Sequence, residues 1–376
     1  MSFRGDTVTT SQISLPNPRT WVTDDLVTVP RLRGDVDDAV AFFLQRPAFI
    51  GQNNGATNIA NATNTDLGLN VQLTDPWNGW VPNPGGFSAQ YWAPVPGWYL
   101  CRSAVAFASG APIAAGFGGT TGGTAIPTQN GALVANGTAQ PLTAQGCDLI
   151  EQTLSGTAGG SGDFIKPTCF QNSGGALALA SGTGTSAPMP CVTVRWVCST
   201  TGTQPLPVPP LTSVPSPITS TWLNADVRDT IRYLLYPPIL KAVYTPGSAT
   251  LPSSTLAAAS TVPYGTITVD NYAGYNTSTF TYTAPVAGRY FAYGHFNLAA
   301  GSAANFIACG LNVNGTVAWG DIATYPSGIT GGASVTRRIR LNAGDTVKIA
   351  AAQGTGSTLA YSTVNQSRMV MCWEGI

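Results

Sequence analysis

The side chains that could carry out catalysis are few and scattered in this chain of 376 residues. Hydrolysis of a glycosidic bond needs two carboxylates facing each other, roughly 5–10 Å apart. The chain has only two Glu, at positions 151 and 374, among its 17 acidic residues. Most of the Asp residues fall before residue 40, in a predicted helix, or in Gly-Asp pairs typical of turns. A pair formed by Asp270 and Asp321 is the one arrangement left open.

Nucleophilic and metal-dependent catalysis have no better support. The single histidine, His295, lies in a strand predicted for Gly288–Asn297, where packing is a more common role than catalysis. Seven Cys residues without a CxxC spacing form no zinc motif. The Gly-rich run Gly116–Gly123 lacks the Lys of a phosphate loop. We therefore expect no enzymatic activity, no metal and no cofactor.

The composition favours an all-β protein with long loops. Charged residues make up 9% of the chain and hydrophobic residues 43%, with 43 Gly and 28 Pro. Frequent turn residues and β-branched residues are typical of short strands. The net charge is zero, so we expect no nucleic-acid binding. No apolar run suits a signal peptide or a membrane span, and the thiols are expected to be mostly free, although a disulfide within the first domain stays open.

The second half of the chain repeats the first with an offset of 191 residues. The run from Ala93 to Leu100 returns at 284–291, as APVPGWYL and APVAGRYF. A period this long predicts two similar domains rather than a solenoid. We expect an arm and helix at 1–47, a first domain at 48–199, a Pro-rich linker at 200–217, a second helix at 218–244 and a second domain at 245–376.

A helix is predicted ahead of each β-rich region, at 28–45 and at 219–236. Thr28 suits an N-cap, Pro30 is tolerated in the first turn, and Pro47 or Pro237 ends the helix. Each helix has an apolar stripe, which predicts docking on a neighbouring protein. The candidate docking residues are Leu32, Val36, Val40 and Phe43 in the first helix, and Leu223, Val227, Ile231 and Leu234 in the second.

Short apolar or alternating runs predict the strands. In the second half these are 265–270, 277–283, 288–297, 306–313, 334–341, 345–352 and 367–373. In the first half they are 71–73, 89–92, 97–107, 148–154, 163–166 and 191–198. Asn312–Gly315 predicts a hairpin turn. The Gly-rich stretches of the first half, and the region around Trp319, are expected to be loops.

Three motifs of the second half resemble the jelly roll shared by tumour necrosis factor and the complement globular head. They are the segment 280–291 (FTYTAPVAGRYF), the hairpin at 312–315 (NVNG) and the segment 341–347 (LNAGDTV). The first half keeps only 93–100 and 162–166. The resemblance implies two tandem jelly-roll β-sandwiches, arising from internal duplication and each preceded by a short helix, in a protein that forms trimers.

The opening of the chain is similar to that of minor tail proteins of siphoviruses that infect actinobacteria. Pro18–Thr23 (PRTWVT) is followed by a helix that contains Asp38 and ends at Leu44-x-x-Pro47. The family usually has Gly-Glu after the Trp, where this chain has Asp24-Asp25 nearby. The resemblance implies a virion protein, assembled in the host cytoplasm.

The sequence thus predicts a non-enzymatic, trimeric minor tail protein of a phage, at the tail tip or in a fibre, that contacts the host surface. Alternatives are a capsid decoration or head-fibre protein and a tail-associated glycan hydrolase. The expected partners are other copies of the chain, neighbouring virion proteins and host-envelope glycan. Exposed aromatic rings can stack on sugars, although the same residues suit a core or a subunit contact. The candidate glycan contacts are Trp77, Trp80, Trp319 and Tyr325.

Overall fold

The structure is a computed structural model. It describes residues 15–23, 25, 27–55, 57–60, 65–82, 90–107, 116–121, 124–129, 142–152, 164–166, 168–170, 176–179, 191–200, 219–245, 247–299, 304–325, 331–362 and 367–375. Strands dominate these residues, arranged as two sandwich-like units. Among them, neither helical region has the length and apolarity needed to cross a bilayer.

The first helix, α1 (Val29–Leu44), begins where the sequence predicts. The Thr28 hydroxyl accepts a hydrogen bond from the Arg31 N–H, and Pro30 occupies the first turn. Its buried face is centred on Ala39 and Phe42, which are 2% and 0% exposed. The buried face of α1 is therefore rotated by about one residue relative to the predicted apolar stripe. Val40, which was predicted to pack, is 49% exposed.

In the described residues, fourteen strands form the first sandwich. The five-stranded sheet has the order β10-β7-β14-β1-β4, and the opposing layer consists of the sheets β11-β6-β5 and β3-β12-β8-β9, with β13-β2 as a separate pair. The strands are β1 (Ala48–Gln52), β2 (Asn58–Ile59), β3 (Thr65–Asp66), β4 (Val71–Thr74), β5 (Trp80–Val81), β6 (Gln90–Trp92), β7 (Gly97–Phe107), β8 (Gly116–Thr121), β9 (Thr124–Gln129), β10 (Leu142–Gln152), β11 (Phe164–Ile165), β12 (Thr168–Phe170), β13 (Leu177–Ala178) and β14 (Cys191–Cys198).

The second helical region is continuous but changes its winding. It consists of α2 (Ser220–Trp222), a π-helical segment (Leu223–Asp229) and α3 (Thr230–Leu235), and the Thr219 side chain caps its start. The buried side chains are Leu223, Ile231, Tyr233 and Leu235. A 3₁₀ turn, Leu256–Ala258, is the other helical element of the second half among the described residues.

The second sandwich contains thirteen strands in the described residues. One sheet has the order β18-β15-β27-β21-β24 and the other β19-β20-β25-β22-β23, with β17 paired to β25 and with the separate pair β16-β26. The strands are β15 (Ile239–Val243), β16 (Thr250–Leu251), β17 (Ser260–Thr261), β18 (Thr266–Asp270), β19 (Tyr275–Asn276), β20 (Thr281–Thr283), β21 (Gly288–Leu298), β22 (Ala304–Val313), β23 (Thr316–Tyr325), β24 (Gly331–Leu341), β25 (Thr346–Gln353), β26 (Leu359–Ala360) and β27 (Arg368–Gly375).

The five-stranded sheets of the two sandwiches have the same strand order. The first sandwich's β10-β7-β14-β1-β4 corresponds to β24-β21-β27-β15-β18. Local contacts also recur: the Tyr99 hydroxyl donates to the Val95 carbonyl and the Tyr290 hydroxyl to the Val286 carbonyl, both at 2.8 Å. Each half therefore holds its turn before β7 or β21 by the same hydrogen bond.

Several predicted elements differ from the structure. Trp319 and Tyr325 lie on strand β23, not in a loop. The Gly-rich stretch of the first half contains β8 and β9, because glycine lowers strand propensity without preventing hairpin pairing. The strand predicted at 277–283 starts only at Thr281, since Phe280 has a φ of 53° and turns the chain. Strand β15 was not predicted.

Candidate functional site

The carboxylates considered for catalysis hold turns in place. Asp270 accepts hydrogen bonds from the backbone N–H groups of Gly274 and Tyr275, at 3.1 and 2.7 Å. Asp75 of the first sandwich does the same for Gly79 and Trp80, at 3.1 and 2.7 Å. The side chain of Asp321, the proposed mate of Asp270, lies outside the described residues. Asp270 is therefore engaged as a turn acceptor.

The largest buried ionic group of the described residues joins the two sandwiches. Asp148 of β10 is 3% exposed. Its carboxylate lies 2.5 Å from the Arg368 guanidinium and 2.8 Å from the Lys241 ammonium, both of the second sandwich. Lys241 also donates to the Leu149 carbonyl at 2.9 Å. We call Asp148, Lys241 and Arg368 the Asp148 cluster.

The charges of this cluster are stabilised by each other. Burial on its own would raise the pKa of Asp148, but Arg368, Lys241 and the Leu149 N–H together hold this pKa below its ordinary value. Removing one member of such a group leaves a buried charge without compensation, which costs far more than the pair gains. The cluster therefore requires both sandwiches in their observed positions.

His295 lies beside the Asp148 cluster. It is 1% exposed and is paired across the strands with Arg368. Burial, followed by the positive charge of Arg368, lowers the pKa of His295 to about 3. The imidazole is therefore neutral at pH 7 and inside a packed interface, a poor position for a general base.

An apolar layer continues the contact between the sandwiches. We call it the seam. In the first sandwich it consists of residues from β7, β10 and β14, and in the second of residues from β15, β21 and β27. Its members are Trp98, Leu100, Cys147, Leu149, Val197, Cys198, Ile239, Phe291, Tyr293, Val370 and Cys372. Strands whose two faces are both buried read as continuous apolar runs, as β21 does.

A second ion-pair group closes the rim of the seam. Glu374 of β27 binds Arg195 of the first sandwich at 2.7 Å and Arg338 of the second at 3.0 Å. The side chain of Glu374 is 11% exposed, whereas those of Arg195 and Arg338 are 42% and 67% exposed. This carboxylate is therefore held between two arginines from different sandwiches.

The Asp148 cluster was not predicted from the sequence. The available signal was the presence of a charged residue inside an otherwise apolar strand of a charge-poor chain. Lys241 lies in ILKAV, Asp148 in CDLI and Arg368 ahead of MVM. Which charges meet across a seam depends on how the two sandwiches pack, and strand periodicity does not contain that information.

The predicted glycan contacts do not form one site. Trp80 is 8% exposed and stacks on Phe49 at 4.5 Å, which is the core position that the sequence left open for these residues. Trp77 is half-buried, packs edge-on against Phe42 and donates its indole N–H to the Gln45 carbonyl. Trp319 is half-buried on β23, far along the chain in the other sandwich. The side chain of Tyr325 lies outside the described residues.

The predicted docking helices have partners within the chain. Phe42 of α1 packs edge-on against Trp196 at 4.9 Å. Ile231 and Leu235 join the core of the first sandwich, with Val227 against it. The first sandwich therefore covers part of each stripe, and docking of the remaining stripe residues on another protein stays a prediction. Leu223 is buried, while Leu32, Val36, Phe43 and Leu234 are half-buried.

The N-terminal arm also docks inside the chain. The Asn224 side chain accepts from the Trp21 N–H at 2.8 Å and donates to the Trp21 carbonyl at 2.7 Å. Trp21 is 2% exposed, and Arg19 forms an ion pair with Asp35 at 2.7 Å. The arm is thus tied both to α1 and to the second helical region.

Most of the described cysteines are buried in the two sandwiches. The six cysteines whose side chains are described form no disulfide. Burial raises the pKa of Cys101, Cys147 and Cys198 above the ordinary thiol value. It raises the pKa of Cys372 to about 12. Thiols in this state react slowly. The side chain of Cys169 lies outside the described residues. Within the described residues, no group of three or more His, Cys, Asp or Glu side chains is placed to hold a metal ion.

Comparisons with known proteins give partial structural likenesses. No protein-family model matches the sequence, and no curated protein matches it. The chain is similar in structure to the globular domain of zebrafish complement 1qA protein, with 12% identity and a TM-score of 0.28, over 36% of this chain and 96% of that one. It is also similar to murine APRIL at pH 5.0, with 11% identity and a TM-score of 0.28, over 36% and 98%.

Proposed function

We propose that this chain is a non-enzymatic structural protein of a phage virion, a homotrimeric minor tail component at the tail tip or in a fibre. The observation that carries the non-enzymatic part is the use of its buried ionisable groups. Asp148, Lys241 and Arg368 join two sandwiches, and His295 is packed beside them. Because these charges are buried and engaged with each other, they are poorly placed for acid–base catalysis. The virion assignment is supported by the resemblance of residues 18–47 to tail proteins.

We propose further that the two sandwiches arose by duplication of one ancestral jelly roll preceded by a helix. The matching strand order of the five-stranded sheets supports this. So do the paired Asp75 and Asp270 turns, which accept hydrogen bonds from equivalent N–H groups at equal distances. The Trp196 and Trp373 indoles likewise donate to the Pro96 and Ala287 carbonyls, each at 3.2 Å.

The contacts between chains of the trimer are proposed at the outer edges of the five-stranded sheets. Strands β4 and β18 end their sheets and expose apolar side chains, with Leu73 at 54% and Ile267 at 41%. Exposed edges with apolar side chains favour association. The two residues lie on corresponding strands, so both sandwiches would contribute equivalent contacts.

Labelling of intact particles tests the virion assignment. Antibodies against the purified chain are added to particles of the phage that encodes it, and the gold label is located by electron microscopy. The proposal expects label at the tail tip or along a side fibre, with a few copies per particle. Label spread over the head, with tens of copies or more, would support the decoration alternative. Unlabelled particles that lack the chain by mass spectrometry would refute both.

A separate assay addresses the hydrolase alternative. Purified chain is incubated with host cell-wall polysaccharide and the release of reducing sugar is measured. The proposal expects no release above a heat-treated control. Release of reducing sugar that disappears in Asp321→Asn would contradict the non-enzymatic assignment. Asp321 is chosen for replacement because the Asp270 carboxylate already accepts hydrogen bonds from the Gly274 and Tyr275 N–H groups.

A further inference from the structure

The outer face of the second sandwich carries a group of arginines at its β21–β24 edge. Arg289 and Arg340 lie directly opposite each other on the two strands, and Arg338 lies opposite Phe291. Because side chains alternate along a strand, Arg338 and Arg340 point to the same face. All three arginines are exposed. We call Arg289, Arg338 and Arg340 the arginine strip.

Two arginines of the first sandwich extend the strip across the seam. The Arg102 guanidinium lies over the Phe291 ring, 5.4 Å from its centroid. Arg195 reaches Glu374, which also holds Arg338. Within the described residues, this group contains five arginines and one acidic side chain, Glu374. The local charge is therefore strongly positive, although the net charge of the whole chain is zero.

The opposed pair Arg289 and Arg340 costs stability. Like charges directly opposite each other on neighbouring strands repel, and within the described residues neither side chain has an acidic partner. The fold does not require arginine there. The equivalent positions of the first sandwich hold Trp98 opposite Glu151, next to Leu100 opposite Leu149. The first sandwich has no such repulsive pair at the equivalent positions. The repulsion between Arg289 and Arg340 therefore indicates that these two side chains normally bind an anion.

The structure shows which anion suits the strip. Glu374 is a carboxylate clamped by two guanidinium groups at 2.7 and 3.0 Å. The planar guanidinium matches a carboxylate with two parallel hydrogen bonds. Side chains two residues apart on a strand are about 6.7 Å apart, which is also the spacing of alternate side chains in an extended peptide. We propose that the arginine strip binds an extended acidic segment of a partner protein that runs along β24, with alternate carboxylates on Arg338 and Arg340. Arg289, directly opposite Arg340, shares the carboxylate that Arg340 binds.

A peptide fits the strip better than a nucleic acid does. Nucleic-acid binding depends on neutralising many phosphates over a wide basic surface. Here the positive charge is confined to one strand edge and the rest of the chain balances it to zero. The inference is independent of the virion assignment and of the trimer, since it rests on the charges of one chain.

The test uses the full chain and a fluorescent octapeptide with Glu at alternate positions, separated by Thr. Binding is followed by fluorescence polarisation at low and moderate salt. The double variant Arg289→Gln/Arg340→Gln should bind at least tenfold more weakly. The matched control Arg31→Gln/Lys348→Gln removes the same charge elsewhere and should bind as the unchanged chain does. Equal weakening in the two variants would overturn the proposal, because the effect would then be one of overall charge.

Two further arms complete the design. Arg289→Trp/Arg340→Glu copies the Trp98–Glu151 pair of the first sandwich, so the same sheet topology is known to hold these two side chains. This variant should lose peptide binding, and its melting temperature should equal or exceed that of the unchanged chain. A single-stranded oligonucleotide of equal charge should bind more weakly than the peptide. Tighter binding of the oligonucleotide, lost in the strip variant, would overturn the assignment to an acidic polypeptide.

Discussion

A few charged residues hold the two sandwiches together, although charged residues are rare in this chain. The chain is 9% charged, yet three of these residues, Asp148, Lys241 and Arg368, are placed together in the contact between the sandwiches. Surface ion pairs contribute little because water competes for each partner. A buried group behaves differently, since each of its charges depends on the others for solvation.

Replacement of Asp148 by Asn should destabilise the chain strongly. The change leaves Arg368, which is 1% exposed, without its carboxylate, and breaking a buried pair in this way costs about 3–5 kcal/mol. Urea unfolding followed by fluorescence measures the loss. Asp66→Asn is the matched control, because Asp66 pairs with Lys166 at a more accessible site and should lose less than about 1 kcal/mol. Similar losses in the two variants would contradict the account of the cluster.

His295 should make the stability depend on acid. Its pKa is lowered to about 3, whereas the unfolded chain has an ordinary histidine pKa near 6.5. Below about pH 6.5 the His295 side chain is protonated in the unfolded chain but stays neutral in the folded chain. For each unit by which the pH is lowered, this difference reduces the free energy of unfolding by about 1.4 kcal/mol. The fall continues toward pH 3, while full stability is present above about pH 6.5.

Unfolding experiments between pH 7 and pH 5 measure this slope, in a range where Asp148 stays ionised. His295→Gln has no titrating group and should flatten the slope. An unchanged slope in this variant would show that another group controls the acid response.

At the scale of elements, the helices were foreseen and their partners were not. Their boundaries follow from local signals, such as the Thr28 cap and the prolines beyond each end. The partner surface is a tertiary property. The first sandwich covers Phe42, Ile231 and Leu235, and the predicted stripe gave Val40 a packing role that Phe42 has. A shift of one residue rotates the face of a helix by about 100°.

A pair of neighbouring substitutions measures this rotation. Phe42→Ala removes a ring that is 0% exposed and packed on Trp196, and such truncations cost about 3–5 kcal/mol. Val40→Ala lies two residues away at an exposed position and should change stability by less than about 0.5 kcal/mol. Thermal unfolding of both variants compares them. A larger loss for Val40→Ala would place the buried face where the sequence alone had put it.

Strands were predicted best where their pattern is strong. The long strands β7, β14 and β21 were expected within a residue of their ends, because they are bounded by turn residues and rich in aromatic and β-branched residues. Strands β8, β9 and β23 were missed, since Gly, Ala and Thr give a weak pattern. The hairpin at Asn314–Gly315 was anticipated from its Asn-Gly pair, and both residues have positive φ, 49° and 88°.

At the scale of the whole molecule, the offset of 191 residues anticipated two similar halves, and the five-stranded sheets have the same strand order. It did not anticipate the seam. The residues of the Asp148 cluster have different counterparts in the other half: by strand register, Asp148 of β10 corresponds to Arg337 of β24, and Arg368 of β27 to Cys191 of β14. The contacting faces of the two sandwiches therefore differ in charge, and Asp148 of the first complements Lys241 and Arg368 of the second.

The central claim is that this body assembles rather than catalyses, and its mass in solution tests that most directly. Multi-angle light scattering of the full chain at tens of micromolar should give three times the mass of one chain. Leu73→Lys/Ile267→Lys, which places charges on the exposed edges, should give the mass of one chain with an unchanged circular dichroism spectrum. A single-chain mass for the unchanged protein at this concentration would contradict the account.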